Sequence, residues 1–325
     1  MKKFRLCFSV LLIAVLFLLF SPIGAPAYAQ TEVYVGGFPV GISLDVGGLL
    51  VESVTGVETE YGTAYVEGIE KGDIITKLGG VKVESIDDMQ DLIRDEETEI
   101  ELLRSGESIM IKVKPIVEAF TDRPRLGIKI KDKIYGIGTV SLVRKDGSYA
   151  ALGHEIYDGE TSTHMLTSRG KIHACKILGI KQGNKSEAGA LLASIIADTD
   201  YGTISCNNTF GISGKYTADI PDKELMPLAD RSEVKPGAAK IKTTIADKPE
   251  YFDIEIIKAS KQTGKKEKGI VFRVTDERLL KATGGVVRGM SGSPIVQDGK
   301  LVGAVTHVFL SDFTKGYGVY ADCLN

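Results

Sequence analysis

The sequence has few of the residues that hold metals or form disulfides. Among its 325 residues are four cysteines and four histidines. Cys7 lies at the start of an apolar run, and the other three thiols (Cys175, Cys206 and Cys323) allow at most one disulfide, which excludes a disulfide-stapled scaffold. No Cys-x-x-Cys or Cys-x-x-His pair indicates zinc, so we expect neither a metal nor another cofactor. The formal net charge is −3 without a long basic patch, which argues against nucleic acid as a partner.

Long hydrophobic runs are also scarce, and the one that is present lies at the amino terminus. "MKKFR" precedes a mainly apolar stretch, Leu6 to Phe20, and Ala27-Tyr28-Ala29 has the A-x-A form of a signal-peptidase site. As a helix the stretch spans about 22 Å, short of the roughly 30 Å hydrocarbon core. We interpret residues 1–29 as a cleaved signal peptide, with a retained membrane anchor as the alternative. Either way, we expect export across the cytoplasmic membrane and at least transient membrane association.

Residues 31–118 have the pattern of a small α+β domain. "EGIEKGDIITKLGGVKV", Glu67 to Val83, alternates short apolar runs with Gly-Asp and Gly-Gly turns. "SIDDMQDLIRDEE" places its apolar residues on one helical face, with Ser85 as N-cap and Asp88 three residues later. We therefore expect one helix packed against short strands.

The first of these stretches resembles the A-G-I-x-x-G-D core of bacterial PDZ domains, with Glu67 where alanine is usual. The resemblance implies that "GISL" is the loop that binds a peptide carboxylate. Successive backbone N–H groups suit that role, and a peptide can add to the sheet edge. The alternative is a small α+β domain with an empty groove. The loop residues in question are Gly41, Ile42, Ser43 and Leu44.

Residues 119–325 form the second predicted domain, joined through "EAFTDRP", Glu118 to Pro124. Short alternating strands with turn signals such as "KDG" recur along it, and the clear helical stretch is "DERLLKA", Asp276 to Ala282. Strands at this spacing predict a β-barrel or a pair of barrels.

Small residues surround Ser291 in "GMSGSPI", which is followed by a predicted hairpin and "GAVTH". One interpretation is a tight turn between strands. The other is a nucleophile on accessible backbone, with the N–H groups of Gly289 and Ser291 as the oxyanion hole and Gly292 permitting an unusual backbone angle. The segment resembles G-D-S-G-[GS]-P of chymotrypsin-like peptidases, which favours the nucleophile.

A serine nucleophile needs a base, which is usually histidine. His154 in "ALGHEI" follows a predicted strand and a glycine, where it can face a cleft. His164 and His173 are expected to be surface or sheet residues. His307 lies on an apolar strand, so it is either a packed core histidine or part of the pocket for the substrate side chain.

A carboxylate is needed to orient that histidine. We favour Asp276 in "RVTDERLL", although the same pattern is typical of a helix N-cap, and Asp158 is the second candidate. Met290 replaces the acidic residue that precedes the serine in ordinary chymotrypsin-like enzymes. That acid pairs with a new amino terminus after zymogen cleavage, so any activation here must work differently.

The whole pattern resembles one family, the stage IV sporulation protein B serine peptidases of endospore-forming Firmicutes. The similarity runs from the signal segment and PDZ-like unit through "ALGHEI", "TDERLLKATGGVVRGMSGSPI", "GKLVGAVTHVF" and "GYGVYA". It implies a mainly β chain: signal or anchor segment (residues 1–29), α+β PDZ domain (residues 31–118) and chymotrypsin-like β-barrel serine peptidase domain (residues 119–325). His154, Asp276 and Ser291 match the family's catalytic motifs.

The same resemblance implies a signalling role. Such a protease is exported to the space between forespore and mother cell, cleaves itself, and cleaves a regulatory membrane protein of an intramembrane protease complex, which triggers activation of the late mother-cell sigma factor. A peptide segment in the PDZ groove would be a further partner. The alternative from another functional class is a non-catalytic, PDZ-containing extracytoplasmic scaffold.

Overall fold

The computed structural model describes residues 31–165, 167–183 and 187–324. The predicted signal peptide lies outside the described residues. Within them, no helix combines the length and apolarity that crossing a bilayer requires. Strands dominate, and among the described residues they form two barrels, a PDZ sheet that continues the sheet of the first barrel, and two small two-stranded sheets.

Two strands open the described chain, β1 (Glu32–Val35) and β2 (Pro39–Val54). Side chains of β2 lie in two different hydrophobic cores. Ile42 and Leu44 in its first half are buried in one cluster, whereas Leu49 and Val51 in its second half are buried in another. The strand therefore runs from one folded unit into the next.

The second of these units is the PDZ-like domain. The half of β2 that ends at Val54 pairs with β5, β5 with β7, and β7 with β8. The predicted capping box at Ser85 and Asp88 is confirmed at the start of α1. The Gly-Asp turn is held because Arg104 donates two hydrogen bonds of 2.8 Å to the fully buried carboxylate of Asp73. The elements are β3 (Val57–Thr59), β4 (Gly62–Ala64), β5 (Ile74–Leu78), β6 (Val81–Lys82), α1 (Ile86–Leu92), β7 (Thr98–Arg104), β8 (Glu107–Val113) and β9 (Ile116–Val117).

The chain then builds the first barrel around the start of β2. The strand order β11-β12-β15-β14-β13-β2 is closed by antiparallel pairing of β2 with β11, which gives a six-stranded ring. Its core contains Tyr149, Ile172 and Ile212 beside the β2 residues. The strands of this stretch are β10 (Pro124–Arg125), β11 (Ile128–Val143), β12 (Ser148–Ala151), β13 (Gly170–Lys181), β14 (Ala190–Asn208), β15 (Gly211–Tyr216) and β16 (Leu225–Pro227).

A second closed barrel follows, with the order β17-β18-β19-β22-β21-β20. Phe252 and Phe272 are buried in its core, and burying each side chain contributes about 1.5–3 kcal/mol. Two antiparallel barrels together with a PDZ domain confirm the predicted fold class. The elements are β17 (Gly237–Thr244), β18 (Pro249–Ala259), β19 (Ile270–Val274), α2 (Glu277–Thr283), β20 (Pro294–Gln297), β21 (Lys300–Val308) and β22 (Lys315–Tyr320), with 3₁₀ turns at Arg231–Glu233 and Ala321–Cys323.

The predicted boundary between the domains needs correction. β1 and the first half of β2 belong to the first barrel, because β1 pairs with β11 and β2 pairs with both β11 and β13. The PDZ domain is therefore inserted at the end of the long β2–β11 ribbon. It does not extend from residue 31 to residue 118, since the peptidase fold begins at β1.

The predicted carboxylate-binding loop is also wrong. Gly41 to Leu44 lie in the barrel half of β2, where they pair with Ile134–Ile137 on one side and Gly170–His173 on the other. Their backbone groups face neighbouring strands, so no edge is left for a peptide. The side chains of Ile42 and Leu44 are buried in the barrel core.

Candidate active site

A cavity of about 640 Å³ lies between the barrels. One wall is β11 from Lys131 to Ile137, and the opposite wall is the loop from His154 to Glu160. Arg288, Gly289 and Ser291 complete it. The structure thus brings the predicted nucleophile and the predicted base to the same cavity.

Ser291 is held by backbone contacts between the two barrels. Its carbonyl oxygen accepts a 3.0 Å hydrogen bond from the N–H of Thr139 in β11, and the next N–H, that of Gly292, donates to Val305 at 2.7 Å. Gly292 has φ +95°, and a Cβ there would lie 2.0 Å from the carbonyl oxygen of Thr139. Only glycine fits at this point. The Ser291 hydroxyl donates to the carbonyl oxygen of Thr306 at 2.8 Å.

The loop before Ser291 presents two backbone donors. Among the described residues, no hydrogen bond engages the N–H of Gly289 or of Ser291, and both residues line the cavity. The Thr139 hydroxyl fixes the loop by donating to the carbonyl oxygen of Gly289 at 2.9 Å. Met290 is fully buried, and its sulfur accepts from the N–H of Val287. These free donors suit an oxyanion hole, and that role stays a prediction.

His154 has a defined tautomer. Its Nδ1 lies 2.9 Å from the carbonyl oxygen of Glu155, which can only accept, so Nδ1 carries the proton and Nε2 is free to take one. The following loop is clamped by Asn207, whose side-chain amide exchanges two 2.9 Å hydrogen bonds with the backbone of Ile156. No sequence motif indicates this role for Asn207, because its partner Ile156 lies 51 positions earlier in the chain.

The structure does not bring Asp276 to His154, which corrects the predicted orienting role. Asp276 is the N-cap of α2, and its carboxylate accepts from the Arg278 side chain, the Arg278 N–H and the Asp253 N–H. The Arg278 hydrogen bonds are the main reason that the pKa of Asp276 falls to about 2. In this structure a main-chain carbonyl, that of Glu155, holds His154.

Asp158, the second candidate, lines the same cavity, but its carboxylate binds other groups than His154. Its carboxylate pairs with Lys131 at 2.7 Å and accepts from the N–H and hydroxyl of Thr161. The side chain is nearly inaccessible to solvent. It anchors the loop after His154 to β11, and its hydrogen bonds and ion pairs go to Lys131 and residues of that loop, not to the His154 ring.

His307 packs beside the base and does not line the cavity. Its ring centroid is 5.1 Å from that of His154, and its buried Nδ1 has no hydrogen-bond partner among the described residues. Burial, followed by the nearby charges of His154 and Lys268, lowers the pKa of His307 to about 4. Because His307 is half-buried against His154 and is absent from the cavity lining, it fits the packed-histidine interpretation better than the substrate-pocket one.

A second serine–histidine–carboxylate arrangement lies in the first barrel. The hydroxyl of Ser43 is 2.7 Å from Nε2 of His173, and Nδ1 of His173 is 2.9 Å from the carboxylate of Asp200. Ser43 and His173 are both buried, as is typical of sheet residues, and the backbone of Ser43 pairs with strands on both sides. Without free N–H groups beside Ser43 there is no oxyanion hole, so the cluster ties three strands together.

A groove in the PDZ domain replaces the incorrectly predicted loop. It lies between α1 with its C-cap, which contribute Ile86 and Ile93, and the stretch from Arg125 to Ile130, which leads into β11. Gly127 in this stretch has φ +63°. The sequence "GIKI", Gly127 to Ile130, has the same G-Φ-x-Φ form as "GISL" and follows the PDZ core, so the pattern could have located it.

The described residues contain neither a disulfide nor a cluster of metal ligands. Cys175, Cys206 and Cys323 are free thiols in the structure. Among the described residues, no cluster of three or more His, Cys, Asp or Glu side chains has the arrangement of a metal site.

Family models match both parts of the chain. Residues 122–324, more than half of the chain, match the family described as SpoIVB peptidase S55, and residues 59–104 match the PDZ domain family. The comparison with curated proteins gives no match. Among solved structures, the active form of the Rv3671c protease from M. tuberculosis is similar at a TM-score of 0.33 and 14% identity, covering 58% of this chain and 70% of that chain. Its inactive form gives a TM-score of 0.32 at 14% identity, with 58% and 80% covered.

Proposed function

The chain belongs to the SpoIVB peptidase S55 family and is a serine endopeptidase, and we propose that it acts as an exported signalling protease in sporulation. The observation that carries the catalytic part is the shared cavity: Ser291 and His154 line it together with two unpaired backbone N–H groups. The PDZ domain adds a site for recognising a protein or peptide substrate.

In the proposed reaction the Ser291 hydroxyl turns from the Thr306 carbonyl and gives its proton to Nε2 of His154 as Oγ attacks the scissile carbonyl carbon. The negative charge that develops on the carbonyl oxygen is stabilised by the N–H groups of Gly289 and Ser291. His154 then returns the proton to the leaving amine, and water hydrolyses the acyl-enzyme by the same route. The Glu155 carbonyl keeps His154 in the reactive tautomer throughout.

The signalling role rests on family membership together with the amino-terminal segment, which has the features of an export signal. We propose that the mature protein works in the space between forespore and mother cell. Its substrate there would be a regulatory membrane protein of an intramembrane protease complex, whose cleavage leads to activation of the late mother-cell sigma factor. Self-cleavage would accompany this activity. Deleting the gene from a sporulating host should block that activation, and Ser291→Ala should fail to restore it.

The catalytic assignment is tested with a fluorophosphonate probe on the purified full-length protein. The wild type should be labelled at Ser291, whereas Ser291→Ala should not be labelled and His154→Ala should be labelled far more slowly. Each substitution should lower turnover by roughly 10⁶, and the double variant should lose little more because the two groups act as one unit. Ser293→Ala is the matched control, since the Ser293 hydroxyl is buried against Thr243. Equal labelling of wild type and Ser291→Ala would instead favour the non-catalytic scaffold.

A further inference from the structure

One strand connects the catalytic cavity with the PDZ groove. The first residues of β11, Ile128 and Ile130, line the groove together with Arg125 to Gly127 just before the strand, and β11 lines the cavity from Lys131 to Ile137. The strand is continuous over both sites. A ligand that follows β11 would therefore pass from one site into the other.

β11 has an open edge over this distance. Its pairing with β2 occupies one edge from Ile128 to Thr139, and β12 pairs with the other edge only from Val140 onward. Between these limits, among the described residues, no strand pairs with the second edge. Backbone N–H and C=O groups on such an edge can accept an extended chain as an added strand.

The two ends of the open edge differ in chemistry. At the groove end, Gly127 has a positive φ, a conformation found in backbone nests that bind anions, and Arg125 is the one cation among the described lining residues, which also include Glu58 and Glu118. Arg125 lies 3.5 Å from Glu118 at the surface, a contact weak enough for a stronger carboxylate partner to displace. The other end carries Ser291, so an anionic chain end suits the first site and a peptide bond suits the second.

Resting on the proposed peptidase activity, we propose that one substrate chain binds antiparallel to β11 across both sites, with its free carboxyl terminus at Gly127 and its scissile bond at Ser291. An antiparallel chain with its end at Gly127 necessarily runs toward the cavity in its amino-terminal direction. From Gly127 to Ile137 the strand rises about 33 Å at roughly 3.3 Å per residue. The enzyme therefore cuts about 8–12 residues before the carboxyl terminus of its substrate.

The apolar wall of the groove supports this binding mode. Ile86 and Met89 of α1 and the C-cap residue Ile93 line it opposite the start of β11. An added strand would place alternate side chains against this wall, while its backbone pairs with β11. Recognition of the tail is then separate from recognition of the residues at the scissile bond.

The test uses peptides with a blocked, fluorescent amino terminus and degenerate internal positions, in lengths from about 6 to 24 residues. Each is made with a free carboxyl terminus and as the carboxamide, and the products of the full-length protein are mapped by mass spectrometry. Cuts should cluster about 8–12 residues from a free carboxyl terminus. Amidation should lower kcat/KM about tenfold or more, mainly through KM, because the tethering advantage is lost.

Arg125→Glu should mimic amidation, whereas the matched control Arg123→Glu, two residues away and outside the groove lining, should not. Fluorophosphonate labelling of Ser291 should be the same in all three proteins. If cut positions are scattered, or if amidation leaves kcat/KM unchanged, while labelling stays normal, the shared-strand proposal is overturned and the peptidase assignment stands. Failure of labelling in the wild type would instead overturn the peptidase assignment on which the proposal rests.

Discussion

Gly292→Ala should destabilise the protein at the point where its two barrels meet. The residue follows the nucleophile and has φ +95°. An added Cβ would lie 2.0 Å from the carbonyl oxygen of Thr139 and 2.5 Å from the nitrogen of Leu152. Both are main-chain atoms of the first barrel, so neither can move aside by a change of rotamer.

The expected loss of stability is the sum of a backbone cost and two broken hydrogen bonds. Placing alanine at positive φ costs about 1–2 kcal/mol. Relief of the overlap breaks two hydrogen bonds, from Thr139 N–H to Ser291 and from Leu152 N–H to Thr139, each of which contributes about 1 kcal/mol. The total of about 3–4 kcal/mol is a large part of the 5–15 kcal/mol that stabilises a typical domain. Ser291 would shift with the loop, and a displacement of about 1 Å can reduce turnover about 10²-fold.

Urea denaturation followed by circular dichroism measures the first effect, and peptide hydrolysis measures the second. Gly179→Ala is the matched control, because this glycine lies in β13 and has no atom within 4 Å of an added Cβ. That variant should equal or exceed the wild type in stability by up to about 1 kcal/mol. A Gly292→Ala protein with the wild-type unfolding midpoint and normal turnover would refute the proposed packing between the barrels.

Three further substitutions test the surroundings of the cavity. Asp276→Asn should lower stability by about 1 kcal/mol at neutral pH, and this deficit should shrink as pH falls below about 4, because the depressed pKa of Asp276 stabilises the fold only where the carboxylate is ionised. Thr139→Val should lower kcat about tenfold with little change in KM, since the carbonyl of Gly289 loses its donor. His307→Leu should reduce the loss of stability that occurs as pH falls from 6.5 to 4. Because its pKa is depressed, His307 favours the folded state above pH 6.5, and this contribution of at most about 2 kcal/mol is lost as pH falls toward 4.

Each of these has an outcome that contradicts it. A folded Asp276→Asn protein with unchanged stability and turnover reduced more than about 10³-fold would mean that Asp276 acts on His154 after all. For Thr139→Val, an increase confined to KM would mean that the hydroxyl contacts substrate. For His307→Leu, an acid-stability profile parallel to that of the wild type would exclude His307 as a titrating group in that range.

Local signals in the sequence predicted local structure well. The Ser85 capping box and the helix after Asp276 are both confirmed, because a cap depends on residues within one turn of the chain. The mainly β fold with a PDZ domain is confirmed for a similar reason: its turn residues and strand periodicity are encoded over short windows. The small residues around Ser291 likewise indicated a constrained backbone, and Gly289 and Gly292 both have positive φ.

Pairing over long distances was not predictable from these signals. The alternating pattern of Pro39 to Val54 is the same whether the strand lies in a barrel or at the edge of a PDZ sheet. Its partners are distant: Ser43 and His173 are 130 positions apart. The role of Asp276 was ambiguous for a different reason, since an aspartate that precedes a helix has the same sequence signature as a cap or as a catalytic acid. Only the position of His154 distinguishes the two.

The insertion of the PDZ domain in the β2–β11 ribbon decides how the two units can be separated. A truncation that begins at Glu118 would also delete β1 and β2, leave the first barrel open between β11 and β13, and expose the core around Ile172. An excision that rejoins the chain where Asp45 and Lys133 face each other would keep the barrel closed. During synthesis, the first half of β2 has neither β11 nor β13 to pair with until the whole PDZ domain has been made, so the peptidase completes its fold after the domain that it contains.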